Sequence, residues 1–153
     1  MFHVEHELVI FMNEMFMKEA FKEALKSYNK NDTPVGCVIV RNNEIIARAH
    51  NCKDVKRNAI MHAELLAVDR ACRKIGDWRL NDCSLYTTLE PCMMCMGAIL
   101  ESRISYVYYG AKSKNKQMFD LNKIRLSGVI INYFAVDECS KIMSDFFKNK
   151  RKK

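Results

Sequence analysis

Residues 83–100 have the sequence CSLYTTLEPCMMCMGAIL, in which a strand-like run is followed by a helix-like run. Cys83 to Thr88 has the composition of a β-strand, and Cys92 to Leu100 is apolar enough to form a buried helix. Pro91 suits the entry to that helix, because the first helical residue needs no N–H donor. Ile104 to Tyr109 follows as a second β-rich run. A strand, a short helix and another strand in this order predict parallel neighbours joined by a right-handed crossover.

The sequence before this unit predicts a helix, a hairpin and another helix. Apolar residues at helical spacing predict a helix over about 7–27. Val35 to Arg41 and Glu44 to Ala49 are two strand-like runs, and the intervening Asn42-Asn43 suits a tight turn because Asn tolerates positive φ. Ala63 to Ile75 has helical composition and meets Gly76, a plausible C-cap.

The sequence after the unit completes an α/β pattern. Val129 to Ala135 predicts a fifth strand, and Asp137 to Lys148 an amphipathic closing helix. With a further helix between the fourth and fifth strands, the predicted order is α-β-β-α-β-α-β-(α)-β-α. We therefore predict a three-layer α/β/α domain in which a five-stranded mixed sheet carries helices on both faces.

Length and composition exclude several classes of protein. The 153 residues fit one domain spanning 1–153, and an apolar fraction of 49% with only five Gly and two Pro excludes disorder and collagen-like repeats. The apolar stretch from Leu8 to Met12 is far too short to span a membrane, and the first residues carry no basic region typical of a signal peptide. Seven cysteines without an export signal predict reduced thiols in the cytoplasm, some of them metal-bound.

The formal charge of +7 is concentrated in two segments. Residues 148–153 carry +5 and residues 112–125 carry +4, so the rest of the chain sums to −2. Such clustering is expected of a protein that binds a polyanion, and a solvated basic tail is the alternative.

Two short motifs carry the chemistry. His62-Ala63-Glu64 opens the second predicted helix, and Pro91-Cys92-Met93-Met94-Cys95 opens the third. His62, Cys92 and Cys95 supply three ligands of the kind that zinc prefers, and three protein ligands are typical of a catalytic zinc site. Glu64 lies in the same helical turn as His62, where its carboxylate would move a proton between the zinc-activated water and the substrate.

Each motif alone has an ordinary interpretation. A Cys-x-x-Cys pair also occurs as a redox couple or as buried helix thiols, and His-x-Glu occurs often by chance. Their conjunction, with each motif at a predicted helix start after a β-rich segment, is much more specific.

At these residues the sequence resembles the cytidine deaminase superfamily and, within it, the bacterial tRNA adenosine deaminases. The likeness runs from about residue 14 to 150 and includes Thr33 to Gly36, Trp78 to Leu80, Leu85 to Cys95 and Asp145 to Phe147. The resemblance implies one Zn²⁺ per subunit and hydrolytic conversion of adenosine to inosine at the wobble position of a tRNA anticodon. It also implies a homodimer in which the partner completes the RNA-binding surface.

The resemblance further implies roles for individual residues. Asn51 would hydrogen-bond the base, although an Asn at the end of a strand also suits a turn. Val35 and the backbone of Ala63 would line the pocket. Phe147 would contact a flanking nucleotide, although its helical spacing also suits a core position. Met93, Met94 and Met96 would suit the dimer interface, with plain core packing as the alternative.

The chain departs from the family pattern after Gly110-Ala111. The family continues with an Asp where this chain has Ser113, and then with a Gly-rich segment about a dozen residues longer than the run that begins at Lys112. Because this stretch of the family helps to hold the nucleotide beside the target base, we assign Lys112 and Ser113 to substrate binding. Loss of the carboxylate predicts weaker discrimination of RNA from DNA.

Two other functions are compatible with these sequence features. One is deamination of a free nucleobase or nucleoside of the guanine or cytosine type. The other is a non-catalytic zinc-binding partner subunit, against which Glu64 argues because such a subunit has no use for a proton-carrying carboxylate.

Overall fold

The computed structural model of the chain describes residues 2–114 and 128–151. Its elements in chain order are α1 (Phe2–Asn29), β1 (Gly36–Arg41), β2 (Glu44–His50), α2 (Lys53–Lys56), α3 (Ala63–Ile75), β3 (Cys83–Thr87), α4 (Met93–Glu101), β4 (Tyr106–Tyr109), β5 (Ile130–Tyr133) and α5 (Asp137–Arg151). The predicted alternation of helices and strands is confirmed. The short helix α2 was not predicted, and the helix expected between the fourth and fifth strands falls within residues 115–127, outside the described residues.

The five strands form one mixed sheet in the order β2-β1-β3-β4-β5. β1 pairs antiparallel with both β2 and β3, whereas β3-β4 and β4-β5 are parallel. The predicted parallel crossover between β3 and β4 through α4 is therefore confirmed. Asn42 and Asn43 turn the β1-β2 hairpin with φ angles of 51° and 62°, which is the left-handed conformation that the sequence predicted for this pair.

Helices cover both faces of the sheet, as predicted. Along β1, Cys37 and Ile39 belong to a core cluster that includes the buried alanines of α3, while Val38 and Val40 pack with α1 on the opposite face. This alternation follows from the two-residue period of a strand. The result is a three-layer α/β/α domain.

Gly36 allows α1 to lie directly against the start of β1. A Cβ at this position would come within 1.9 Å of the Ala20 carbonyl oxygen and 2.4 Å of the Ala24 amide nitrogen. Ala20 and Ala24 are fully buried, so small residues on the helix match the missing side chain on the strand. The start of β1 is thereby fixed close to the C-terminal half of α1.

Backbone hydrogen bonds shape the chain where β3 ends. Thr88 donates its N–H to the Gly36 carbonyl oxygen at 3.0 Å, and Glu90 donates its N–H to the Ala111 carbonyl oxygen at 2.8 Å. These bonds hold the segment that runs from the carboxyl end of β3, a central strand, to the start of α4. Ligand sites of open α/β sheets commonly form at this end of the strands.

Candidate metal centre and active site

Two helix N-termini supply the residues that were predicted to bind metal. His62 is the N-cap of α3 and Cys92 is the N-cap of α4, and both have extended backbone angles. Neither side chain caps its own helix, so each is available to another partner. Cys95 lies in the first turn of α4 and is fully buried. The partial positive charge of the two helix ends favours thiolates at this place.

The structure brings the three side chains together. His62 Nδ1 lies 3.7 Å from Cys92 Sγ and 3.5 Å from Cys95 Sγ. The ligand atoms of all three residues lie within 4.8 Å of one another. One imidazole nitrogen and two sulfurs are a donor set that zinc prefers, and three protein ligands leave a coordination position for a reacting water. The residues present therefore fit a catalytic zinc ion.

The electrostatics of the cluster favour a thiolate before any metal binds. Hydrogen bonds from the Cys95 thiol and from His62 lower the pKa of Cys92 to about 3. The bond to Cys92 and the burial of the sulfur raise the pKa of Cys95 well above its usual range. The hydrogen bond between Cys92 and His62 raises the pKa of His62. The first proton lost from the thiol pair therefore leaves the more exposed sulfur, Cys92.

Glu64 lies beside this cluster and is 4% exposed. Burial raises the pKa of its carboxyl, and a side-chain hydrogen bond with Cys95 opposes that rise. Burial and the nearby Glu64 carboxylate together raise the pKa of the Cys37 thiol. A buried carboxyl with a raised pKa next to the metal ligands is suited to carry a proton near neutral pH.

Asn51 and Val35 lie together at one side of the candidate site. The Asn51 N–H donates to the Val35 carbonyl oxygen at 3.0 Å, and both residues are buried. The next residue, Cys52, donates its N–H to the carbonyl oxygen of Met61 at 2.9 Å. Because Met61 precedes His62, this bond places the end of β2 beside the metal cluster. Ala63, the first residue of α3, is fully buried at the same place.

Sequence reasoning missed Asp32, which hydrogen-bonds the Asn51 side chain. Asp32 Oδ1 accepts from Asn51 Nδ2 at 3.1 Å, and Asp32 itself is fully buried. No local signal marks this contact, because the two residues are separated by the whole β1-β2 hairpin. A single Asp between a helix end and Thr33-Pro34 has the appearance of an ordinary loop residue.

The structure places the remaining predicted substrate residues on the segment after β4 and on α5. The Ser113 N–H donates to Glu90 Oε1 at 3.1 Å, which ties the segment after β4 to the residues just before Pro91. Lys112 Nζ lies 5.0 Å from the centre of the Tyr133 ring. Phe147 is 45% exposed on α5 and packs edge-to-face on Phe146, so its solvent-facing position is compatible with a ligand contact.

The three methionines of α4 differ in exposure. Met93 and Met94 are 55% and 37% exposed, whereas Met96 is 2% exposed and belongs to the core. The assignment of Met96 to an interface is therefore wrong, because its place in the helix turns it toward the sheet.

Comparison with known proteins decides the family. Residues 12–111 match the model described as the cytidine and deoxycytidylate deaminase zinc-binding region. The chain belongs to this deaminase family. The matched region includes His62, Cys92 and Cys95, so the cluster described above belongs to a zinc-dependent hydrolytic deaminase.

Curated relatives extend the similarity over nearly the whole chain. A tRNA-specific adenosine deaminase of Bacillus subtilis is 40% identical over 148 residues, which cover 92% of each chain. A protein of the same description from Streptococcus pyogenes is 41% identical over 90% of this chain and 85% of its own. A third, from Rickettsia felis, is 36% identical over 88% of this chain and all of its own.

Solved structures confirm the cytidine-deaminase-like fold. A tRNA:A34 deaminase studied for A-to-I editing at the wobble position is 29% identical and superposes with a TM-score of 0.75, covering 84% of this chain and 99% of its own. A guanine deaminase of Bacillus subtilis is 40% identical over 65% of this chain and 64% of its own, with a TM-score of 0.62.

Proposed function

We propose that this protein is a tRNA adenosine deaminase that converts adenosine to inosine at the wobble position of an anticodon. The observation that carries the proposal is the similarity to curated tRNA-specific adenosine deaminases, at 36–41% identity over about nine-tenths of the chain. The single domain over 1–153 and the cytoplasmic location expected from the sequence belong to the same proposal. Among the described residues, no helix has the length and apolar character needed to cross a membrane.

His62, Cys92 and Cys95 are the residues that we propose hold the zinc ion. A zinc ion held there would supply Lewis-acid chemistry, lowering the pKa of a water molecule so that it can attack at neutral pH. Glu64 accepts the proton of that water on its carboxylate and delivers it to the ring nitrogen beside the reacting carbon. Glu64 would then pass the proton of the new C6 hydroxyl to the amino group, so that the C6–N bond breaks and water and adenosine yield inosine and ammonia.

Asn51, Val35 and Ala63 form the proposed binding site for the base. The side-chain amide of Asn51 offers an acceptor and a donor, which match the N6 amino group and N7 of adenine. Val35 and Ala63 are apolar and buried, and a backbone hydrogen bond joins Val35 to Asn51. The pocket therefore combines an apolar lining with one polar group that fixes orientation, as in most small-ligand sites.

The end of α5 supports an RNA-binding surface beside this pocket. Lys150 Nζ lies 3.6 Å from Asp54 Oδ2 on α2, and Asn149 Nδ2 donates to the Tyr28 hydroxyl at 3.2 Å. These contacts bring the basic end of the chain next to the segment that follows Asn51. We assign this basic end to phosphate contacts and Phe147 to a flanking nucleotide. The assignment of Lys112 and Ser113 to substrate binding also remains a proposal.

A homodimer is part of the proposal. Met93 and Met94 present exposed apolar surface at the start of α4, next to the metal ligands. Sedimentation velocity at micromolar protein concentration tests the assembly. We expect a dimer that dissociates when Met93 and Met94 are both replaced by Ser, and a monomer in the wild type would contradict it.

Guanine deamination is the second candidate, because a guanine deaminase is 40% identical over part of the chain. The experiment that separates the two supplies the enzyme with an anticodon stem-loop RNA and, separately, with free guanine. We expect inosine in the RNA and no ammonia from guanine. The reverse result would assign the chain to free-base deamination.

A non-catalytic zinc-binding subunit is the third candidate. The buried Glu64 argues against it, because a buried carboxyl costs stability unless it is paired. Turnover by the purified chain alone would exclude this candidate.

A further inference from the structure

Asp32 is a buried carboxylate in the loop between α1 and β1. It follows Asn31, whose φ of 59° turns the chain, and its own N–H donates to the Ser27 carbonyl oxygen at 2.9 Å. Its exposed fraction is 0%. Burying a carboxylate is costly unless hydrogen bonds satisfy its oxygens, so the partners of this side chain account for its place.

Four N–H groups converge on the Asp32 carboxylate. Oδ1 accepts from the Thr33 N–H at 2.9 Å and from Asn51 Nδ2 at 3.1 Å. Oδ2 accepts from the N–H groups of Asp54 and Val55, both at 3.0 Å. Four acceptor positions are about the capacity of an ionised carboxyl group. Within residues 2–114 and 128–151, no Lys or Arg side chain forms an ion pair with it, so its partners are backbone and amide groups alone.

The bond from Asn51 fixes which way its side-chain amide faces. A carboxylate only accepts hydrogen bonds, so the Nδ2 group of Asn51 must face Asp32 and the Oδ1 atom must turn away. The Asn51 backbone is held as well, because its carbonyl oxygen accepts from the Ser27 hydroxyl at 2.7 Å. One amide N–H and the Oδ1 atom of Asn51 therefore remain for a ligand, in a single orientation.

The bonds from Asp54 and Val55 fix the start of α2. These two residues contribute the first-turn N–H groups of the helix, and its own N-cap residue, Cys52, makes no side-chain capping bond. The helix and the residue that follows it carry three exposed cations, Lys53, Lys56 and Arg57. Asp32 thus holds the neighbouring basic segment as well as Asn51.

We propose that Asp32 is a positioning residue for substrate recognition. Its carboxylate binds both the side-chain amide of Asn51 and the start of the basic segment 53–57, and so holds the two in fixed positions relative to each other. The inference rests on the proposed function, in which Asn51 contacts the target adenine. A positioning role differs from general support of the fold in its consequence. Loss of the Asp32 carboxylate should change how strongly the enzyme depends on one substrate atom, N7 of the target adenine.

The test compares two anticodon stem-loop RNAs, one with adenosine and one with 7-deazaadenosine at the wobble position. The second lacks the N7 acceptor, so the ratio of kcat/KM for the two RNAs measures the contact from Asn51. The enzymes are the wild type, Asp32→Asn, Asp32→Ser and Asp32→Glu. Asp82→Asn is the matched control, because Asp82 is exposed and paired with Arg41.

We expect the 7-deaza substitution to cost the wild type and Asp82→Asn about tenfold, the factor for one lost hydrogen bond. In Asp32→Asn and Asp32→Ser, kcat/KM for the adenosine RNA falls by about tenfold or more. The 7-deaza penalty, which is the ratio of kcat/KM for the adenosine RNA to that for the 7-deazaadenosine RNA, falls below about threefold in these variants. Asp32→Glu retains the carboxylate and restores the penalty. Zinc content stays at the wild-type level in all variants.

Three outcomes would overturn the proposal or its premise. A 7-deaza penalty in a zinc-loaded Asp32→Asn or Asp32→Ser enzyme equal to that of the wild type would overturn the positioning role alone. A wild type that forms no inosine in the RNA would overturn the proposed function and this inference with it. Hydrogen exchange on the wild type needs no variant, and rapid exchange of the Asp54 and Val55 backbone amides would also contradict the positioning role.

Discussion

The Cys52 N–H donates a hydrogen bond to the Met61 carbonyl oxygen at 2.9 Å. Cys52 follows Asn51 and Met61 precedes His62, so this bond joins the base-binding side of the proposed pocket to its metal-binding side. The loop that it closes contains α2. The proposed site therefore depends on a few contacts whose removal has specific consequences.

Replacing Glu64 with Gln tests the proton-carrying role. Gln has a similar shape but cannot hold and release a proton, so kcat is expected to fall by about 10²-fold to 10⁴-fold while the bound zinc is retained. Glu44→Gln, at the exposed first residue of β2, is the control and should match the wild type. Ammonia release and zinc analysis measure the two effects. A Glu64→Gln enzyme with more than about one-tenth of normal kcat would contradict the role.

Removal of zinc should expose a selectively reactive thiol. In the metal-free protein the pKa of Cys92 is lowered to about 3, so its sulfur is a thiolate at about pH 6, where ordinary thiols are protonated. Cys83 and Cys139 have pKa values raised to about 11 and about 12, so they remain protonated and buried. Iodoacetamide labelling followed by peptide mass spectrometry should find Cys92 modified after chelation and protected in the zinc-loaded protein. Equal labelling of Cys92 in both forms would count against its role as a ligand.

The basic end of α5 should contribute to RNA affinity. Replacing Lys150 and Arg151 with Ser is expected to weaken binding of the anticodon stem-loop at ~150 mM salt. It should also reduce the slope of log affinity against log salt by ~0.7 for each phosphate contact that is lost. The paired control replaces Lys18 and Lys22 of α1 with Ser, which removes the same charge elsewhere. Deletion of residues 150–153 should have a larger effect of the same kind, with zinc content unchanged. Unchanged binding after deletion would show that the tail is only a solvated end.

Ser113 tests the choice between RNA and DNA. If the missing carboxylate relaxes discrimination, the wild type should deaminate a single-stranded DNA copy of the stem-loop, and Ser113→Asp should lose this activity while it retains activity on RNA. Activity on the two nucleic acids is compared by inosine-specific cleavage. Failure of both enzymes on DNA, with activity on tRNA intact, would refute the hypothesis.

Gly36 tests the packing of α1 on the sheet. Gly36→Ala forces a Cβ to within 1.9 Å of the Ala20 carbonyl oxygen, so the free energy of unfolding should fall by about 3 kcal/mol or more. Gly97→Ala is the matched control, because nothing lies within 4 Å of the added atom and a helical Ala is favoured over Gly by about 0.5–1 kcal/mol. Urea unfolding measures both. Similar stabilities for the two variants would contradict the close approach.

The sequence predicted those parts of the molecule that local chemistry determines. Asn42-Asn43 specified the hairpin because few residues tolerate positive φ at both positions of a tight turn. Gly76 specified the end of α3 for the same reason, and it has a φ of 71°. The metal cluster was predictable because zinc chemistry restricts both the residue types and their spacing.

Long-range contacts were not predictable in the same way. Strand direction was the first example, since β1 pairs antiparallel with β3 although β2 and two helices separate them in sequence. The Asp32 network was the second, because three of its four donors come from a strand end and a helix that are 19 to 23 residues away. Met96 was the third, because the position of the sheet relative to α4 decides which methionines are buried.

If this chain deaminates the wobble adenosine of tRNA through the zinc site and Glu64, then the wild type and Glu64→Gln must differ in their action on tRNA. The most direct measurement incubates the purified zinc-loaded enzyme with total bacterial tRNA and maps inosine in the anticodons, with Glu64→Gln alongside. We expect inosine at the wobble position with the wild type and none above background with Glu64→Gln. Absence of inosine with the wild type, together with ammonia release from free guanine or cytosine, would contradict the claim.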